Sequence, residues 1–262
     1  MKFLIVSVIL LLGVFSRADL VKPEAPEQEH RQVFKIYGTE GPYSAIKDAA
    51  DAFGAANNVR MEVIGTPMDK WKAAALKDAD LIYSSSENSM DTYNETLGII
   101  DPKSITSLFL RSSAILVRPG NPKKIKGIRD LIHRDHQVII LNGQGQVAMW
   151  EDIVGRLKNV GDLDEFRKHI AFTAHTVSEA LQYWKNHEEV EAWVTFNNFG
   201  KEEDIAGDIV RVEKDLTIYR SMGAAVTTIT NQRETGLKFI EFLKGSEAEK
   251  IFKAKGWFKK EK

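Results

Sequence analysis

From Val33 onward the chain alternates strand-like and helix-like segments, and that rhythm limits its fold more than any single motif does. Val33–Tyr37 reads as a strand. Tyr43–Asn57 follows with helical spacing, placing Ala45, Ile46, Ala49, Ala50 and Phe53 on one face. Val59–Ile64 alternates, Asp69–Asp78 is helical, and Ala79–Tyr83 is a short, mostly apolar strand. This β-α-β-α-β order predicts an α/β fold, with mainly parallel sheets flanked by helices.

A second α/β unit begins near Pro119-Gly120-Asn121-Pro122. Gly127–Arg134 and Trp150–Leu157 have helical spacing, and Gln137–Leu141 reads as a strand between them. Ala171–Thr173 and Val190–Thr195 are further strands around a helical Val177–Lys185. Glu234–Leu243 and Ala248–Lys255 close the chain as helices, and Ser246-Glu247-Ala248-Glu249 matches a capping box. Ser112–Val117 and Leu216–Met222 look like long crossing strands. If both run between lobes, residues 33–111 plus 223–258 form lobe 1 and residues 118–215 form lobe 2. The crossings at 112–117 and 216–222 then make a two-stranded hinge under a cleft.

The chain opens with Lys2, an apolar run from Phe3 to Phe15, and Ser16-Arg17-Ala18. That is the three-part pattern of a secretory signal peptide over 1–18, cleaved after Ala18. The apolar run is too short to span a bilayer, whose core needs roughly 20 residues. Residues 19–32 carry two prolines, four acids and little apolar content, and read as an extended leader. Removing 1–18 takes away Lys2 and Arg17 and no acid, so 34 basic residues remain against 37 acidic ones. A net charge of −3 argues against a nucleic-acid or anionic-membrane partner. Zero Cys in an exported chain excludes a disulfide framework, thiolate metal sites and a lipidated cysteine. A periplasmic location suits a large Cys-free export product.

In open α/β sheets, ligands collect beyond the carboxyl ends of strands, where helix N-termini point. Small and polar residues recur at those ends. Tyr37 is followed by Gly38-Thr39-Glu40-Gly41-Pro42, and Tyr83 by Ser84-Ser85-Ser86. Leu141 is followed by Asn142-Gly143-Gln144-Gly145-Gln146, and Thr173 by Ala174-His175-Thr176. Glycine lets backbone N–H groups approach a ligand, and helix N-termini add donors and partial positive charge. Ser84-x-x-Glu87 and Thr176-x-x-Glu179 also match capping boxes, which would account for those hydroxyls without a ligand.

Arg111 and Arg220 each follow apolar residues beside a crossing strand, where a guanidinium can reach a cleft and hold a carboxylate or phosphate bidentately. An interlobe salt bridge is the plainer role for either. Charge-assisted hydrogen bonds contribute roughly 1.5–3 kcal/mol each, and micromolar binding needs about 8 kcal/mol net. Two arginines with a few N–H and hydroxyl donors therefore suffice without a metal or cofactor. Trp193, Phe196 and Phe199 surround Thr195, with Asn197 and Asn198 in the same turn; the aromatics could wall a pocket or simply fill the core.

Enzyme signatures fail on inspection. Gly143-x-Gly145-x-x-Ala148 fits a dinucleotide fingerprint, but it does not open the first βαβ unit or lead to a strand ending in an acid. His133-Arg134-Asp135 resembles a kinase triplet, but the Asn expected five residues beyond Asp135 is missing. His133 and His136 have metal-ligand spacing without a third ligand nearby and read as solvated. No nucleophile elbow is present.

Ser113-Ala-Ile-Leu-Val-Arg-Pro-Gly-Asn-Pro-Lys-Lys-Ile-Lys-Gly-Ile-Arg-Asp-Leu131 resembles the hinge and second-lobe entry of class II periplasmic solute-binding proteins, the molybdate and sulfate binders among them. Tyr37–Pro42, Trp150–Arg156, Glu191–Thr195 and Glu213–Arg220 resemble more narrowly the accessory colonization factor AcfC group. The likeness runs from about Phe34 to Trp257. It implies a two-lobed binder of small oxyanions or organic acids linked to colonization or virulence. Its ligand loops would be Thr39, Glu40, Gly41 and Pro42; Ser84, Ser85 and Ser86; Gly143, Gln144, Gly145 and Gln146; and Thr195 to Asn197, with Arg111 and Arg220. Some members of the group have a longer Ser/Thr/Gly-rich loop before the Trp-Glu pair than this chain's Asn142 to Met149. The implied partners are a small anion and an inner-membrane ABC permease or chemoreceptor, the protein acting as monomer or homodimer. A surface antigen or adhesin with a vestigial cleft is the alternative role of the same fold.

Overall fold

A computed structural model describes residues 32–143, 145–202 and 205–259. The leader over 1–18, residues 19–31 of the extended stretch and Gln144 lie outside the described residues.

The chain opens with β1 (Phe34–Gly38), α1 (Tyr43–Asn57), β2 (Met61–Gly65), α2 (Met68–Asp78), β3 (Leu81–Tyr83) and α3 (Glu87–Leu97). The long strand β4 (Thr106–Val117) follows, then α4 (Ile128–His133), β5 (Val138–Leu141), α5 (Met149–Val154), α6 (Val160–Lys168) and β6 (Ile170–Ala174). The chain ends with α7 (Val177–Asn186), β7 (Ala192–Phe196), β8 (Asp208–Arg211), β9 (Tyr219–Val226), α8 (Arg233–Lys244) and α9 (Ser246–Ala254). The strands run in the order β2-β1-β3-β9-β4-β7-β5-β6, with β8 also pairing β4.

The sheet is mixed. β1 pairs parallel with β2 and β3, and β5 pairs parallel with β6 and β7. Every pairing of β4 and β9 is antiparallel. The parallel expectation thus holds for the βαβ segments and gives way at the two long strands.

β4 passes through two separate hydrophobic cores. Leu108 and Phe109 belong to one, with Phe34, Ile36, the apolar face of α1, Met222, Ala224 and Phe252. Ile115, Leu116 and Val117 belong to another, with Ile139, Phe166, Trp184, Trp193 and Phe196. Phe109 and Phe252 stack with ring centroids 3.9 Å apart. Burying a large apolar side chain contributes about 1.5–3 kcal/mol, so each core has ample material of its own. β9 begins where β4 leaves the first core, pairing Arg220 with Arg111 and Met222 with Phe109.

Local chemistry sets several element ends. Asn58 takes the left-handed conformation after α1, with φ 58°, and its N–H donates to Gly54 O. Thr176 caps α7 by accepting from Glu179 N, and the Glu179 carboxylate accepts from His175 N, so the cap half of this box forms and the return bond shifts to the residue before the cap. The other two boxes do not form. α3 is capped by Ser86, not Ser84, through Ser89 N. α9 starts at Ser246 itself, with Gly245 before it and no side-chain cap. His136 is buried against Glu191 at 2.6 Å, not solvated, because it sits where the strand register brings Glu191 beside it.

Candidate ligand site

Arg111 lies on β4 between the two cores and is completely buried. Its Nη2 donates to Ser85 O at 3.1 Å, while Nε and Nη1 have no hydrogen-bond partner in the protein. Its guanidinium carbon stands 3.9 Å from the Phe196 ring centroid and 4.9 Å from that of Trp257. Among the described residues no acid pairs with it. Burial lowers its pKa to about 9, and the positive charge of Arg220 pushes the same way. A buried cation with aromatic faces but no counter-ion is costly to keep.

Two glycines let loops close on this guanidinium. A Cβ on Gly41, in the turn after β1, would meet Arg111 Nη1 at 2.9 Å. A Cβ on Gly145, after β5, would meet Ser85 Oγ at 2.5 Å and Arg111 Nη2 at 3.2 Å. Gly145 also has φ +83°, where a side chain is strained. The turns after β1, β3 and β5 therefore meet at one side chain of β4.

Those turns, with the end of β7 and the turn after it, carry further buried polar atoms without a partner in the protein. They are Thr39 Oγ1, Ser84 Oγ, both amide atoms of Gln146, Thr195 Oγ1 and Asn198 Oδ1. The Tyr93 phenol lies near Thr39, and burial raises its pKa to about 12 while Thr39 draws it back down. Buried polar groups are nearly always hydrogen-bonded. Five such residues in the segments that reach an uncompensated arginine offer donors that suit an anion.

Other expected site residues are placed differently. The Glu40 carboxylate accepts from Val177 N at 3.2 Å and from the Ser178 hydroxyl, so it anchors the N-terminus of α7. Pro42 starts α1 and is buried without offering a side-chain cap. Gly143 packs against the His175 carbonyl, which a Cβ would meet at 2.3 Å. Ser85 contributes its carbonyl to Arg111, and Ser86 is spent on α3. Asn197 bridges Ser112 N at 2.9 Å and Gly256 O at 2.6 Å, so both ends of its amide are taken. Arg220 pairs with Asp152 of α5, both partly exposed.

Asn198 and Trp257 belong here although neither stood among the expected ligand residues. Asn198 could be found in the sequence only as the second amide of its turn. Trp257 follows α9, far from any strand end, and nothing local marks it.

A cavity of about 1160 Å³ lies elsewhere, between β4, β8 and the chain around Lys201 and Lys214. A smaller one of about 580 Å³ touches the Arg111 neighbourhood through Ser86, Gly145 and Arg220.

A mixed α/β sheet whose strand-end turns meet at one buried, uncompensated arginine has the arrangement of a binding protein. The chain belongs to the bacterial extracellular solute-binding protein family, whose sequence pattern it matches over residues 34–258. Among solved structures, L-phospholactate-bound PEB3 is 29% identical, with a TM-score of 0.81 covering 87% of this chain and 100% of that one. Peb3 from Campylobacter jejuni is 30% identical, with a TM-score of 0.78 and the same coverage. The periplasmic molybdate-binding protein of Azotobacter vinelandii shares the fold at 15% identity, with a TM-score of 0.68 over 87% of this chain and all of that one. No curated protein sequence matches. Among the described residues no helix is long and apolar enough to cross a membrane.

Proposed function

We propose that this protein is a periplasmic binder of a small anion, which it holds on Arg111 between two closing lobes. The observation that carries the reading is the complete burial of Arg111 without an acid partner, where the segments that meet at it carry unpaired buried polar atoms on Thr39, Ser84, Gln146, Thr195 and Asn198. An anion supplies the missing counter-charge and accepts from Nε, Nη1 and the hydroxyls in one event. Residues 33–111 with 223–258 form one lobe and 118–215 the other, joined by the strands at 112–117 and 216–222. The separate cores on either side of β4 support that division.

The phospholactate named for the PEB3 relative and the molybdate named for the Azotobacter protein are anions, which agrees with the charge of this site. The export pattern over 1–18 supports a periplasmic location, in which the protein delivers its ligand to an ABC permease or a chemoreceptor. The likeness to the accessory colonization factor group extends that role to colonization.

A thermal-shift panel of carboxylates, phosphorylated acids, sulfate and molybdate tests the proposal. At 100 times Kd, a ligand adds about 2.7 kcal/mol to folding stability. For a chain of this size that raises Tm by roughly 5–10 °C. The shift should survive a chelator, because hydroxyls, amides and an arginine need no metal. If no anion moves the melt, or if a chelator abolishes the shift, the reading is wrong.

A further inference from the structure

Two buried acceptors in the segments that meet at Arg111, on Asn198 bonded to Gly41 and on Gln146 next to Gly145, restrict which anion the site can take. Asn198 is fully buried, and its Nδ2 donates to Gly41 O at 3.3 Å. Turning the amide over would set its oxygen against that carbonyl, so Oδ1 is the end left facing inward, unpaired. Gln146 is 1% exposed, and neither Oε1 nor Nε2 has a partner. Whichever way its amide is turned, it presents one donor and one acceptor. None of the hydroxyls of Thr39, Ser84 and Thr195 reaches either amide in hydrogen-bonding geometry.

Sulfate and molybdate at neutral pH carry lone pairs and no hydrogen. Either would satisfy Arg111 and the hydroxyls while setting its oxygens against two buried amide oxygens. We infer, resting on the anion-binding proposal above, that the ligand is an acid that also donates hydrogen bonds. A hydroxy acid, or a phosphate group that retains a proton, has the required chemistry. Arg111 takes the charge, the hydroxyls and Gln146 Nε2 donate to the acid oxygens, and Asn198 Oδ1 and Gln146 Oε1 accept from the ligand. A site built to pair a ligand hydroxyl discriminates strongly against an analogue without one, because its own buried group is then stranded.

Calorimetric titration at neutral pH with two matched pairs of probes tests this. Inorganic phosphate keeps a proton where isosteric sulfate keeps none, and L-lactate carries a hydroxyl that propionate lacks. The donor-bearing member of at least one pair should bind about ten- to hundredfold more tightly, the effect of one stranded buried acceptor. In Gln146→Met that ratio should shrink severalfold, because the acceptor that discriminates is gone while both probes lose the Nε2 donor alike. The wild-type ratio stands as a test even if the variant folds poorly. Affinities within twofold in both pairs would overturn the donor requirement and leave anion binding intact. Absence of heat with all four probes at millimolar concentration would overturn both.

Discussion

At the scale of single residues, the two arginines of the β4–β9 pair have unlike environments although they face each other in register. Arg111 is sealed among aromatic rings with two of its three nitrogens unpaired, while Arg220 stands at the surface edge with Asp152 as its partner. A partly exposed ion pair contributes only about 0–1 kcal/mol. Arg220→Met should therefore change unfolding free energy by less than about 1 kcal/mol in a denaturant melt. Its anion affinity should fall by less than tenfold, through loss of long-range attraction alone. A larger loss would move the ligand's charge toward β9 and the cavity shared by Ser86, Gly145 and Arg220. The sequence marks both arginines, because each follows apolar residues beside a long strand. Burial separates them, and burial depends on Trp257 and Phe196 arriving from distant parts of the chain.

At the scale of elements, the loop after β5 shows how glycine is used. Gly145 combines φ +83° with contact against Ser85 and the Arg111 guanidinium. Gly145→Ala must lift this loop away from both. A left-handed non-glycine residue costs roughly 1–2 kcal/mol, so a denaturant melt should register a loss of about that size. Anion affinity should fall further, since Gln146 moves with its neighbour; unchanged affinity in a folded variant would remove this loop from the site. Helices such as α1 and α7 were legible because their apolar residues recur at helical spacing over several turns. β8 was missed because Asp208–Arg211 is four residues with exposed ends, too short to show a period. The Ser84 box misled for a related reason. Three consecutive serines offer three possible caps, and only the backbone decides that Ser86 takes Ser89 N. The site was legible as a set of strand ends and not as a set of side chains. Glu40 and Asn197 lie in the right loops, yet their polar atoms are consumed by α7, Ser112 and Gly256.

At the scale of the whole molecule, the buried charge links the two cores. Arg111 is carried by the strand that runs through both, Gly41 approaches from the β1 turn, and Gly145, Thr195 and Asn198 come from segments beyond β4. The Glu40 carboxylate on α7 and the Ser44 hydroxyl on Glu202 tie the same two regions together. On the proposed function, an anion supplies the counter-charge that buried Arg111 lacks. The most direct test is calorimetric titration of wild type and Arg111→Met with whichever anion stabilises the wild type most. Truncating one partner of a buried charge pair costs about 2–5 kcal/mol of binding. Methionine keeps the apolar contact with Phe196 and Trp257 and removes a charge that is costly to bury, so ligand-free stability should change by no more than about 1 kcal/mol. The account predicts affinity reduced at least thirtyfold or so, with the ligand-free melt nearly unmoved. Affinity within twofold of wild type, in a variant that melts normally, would contradict it.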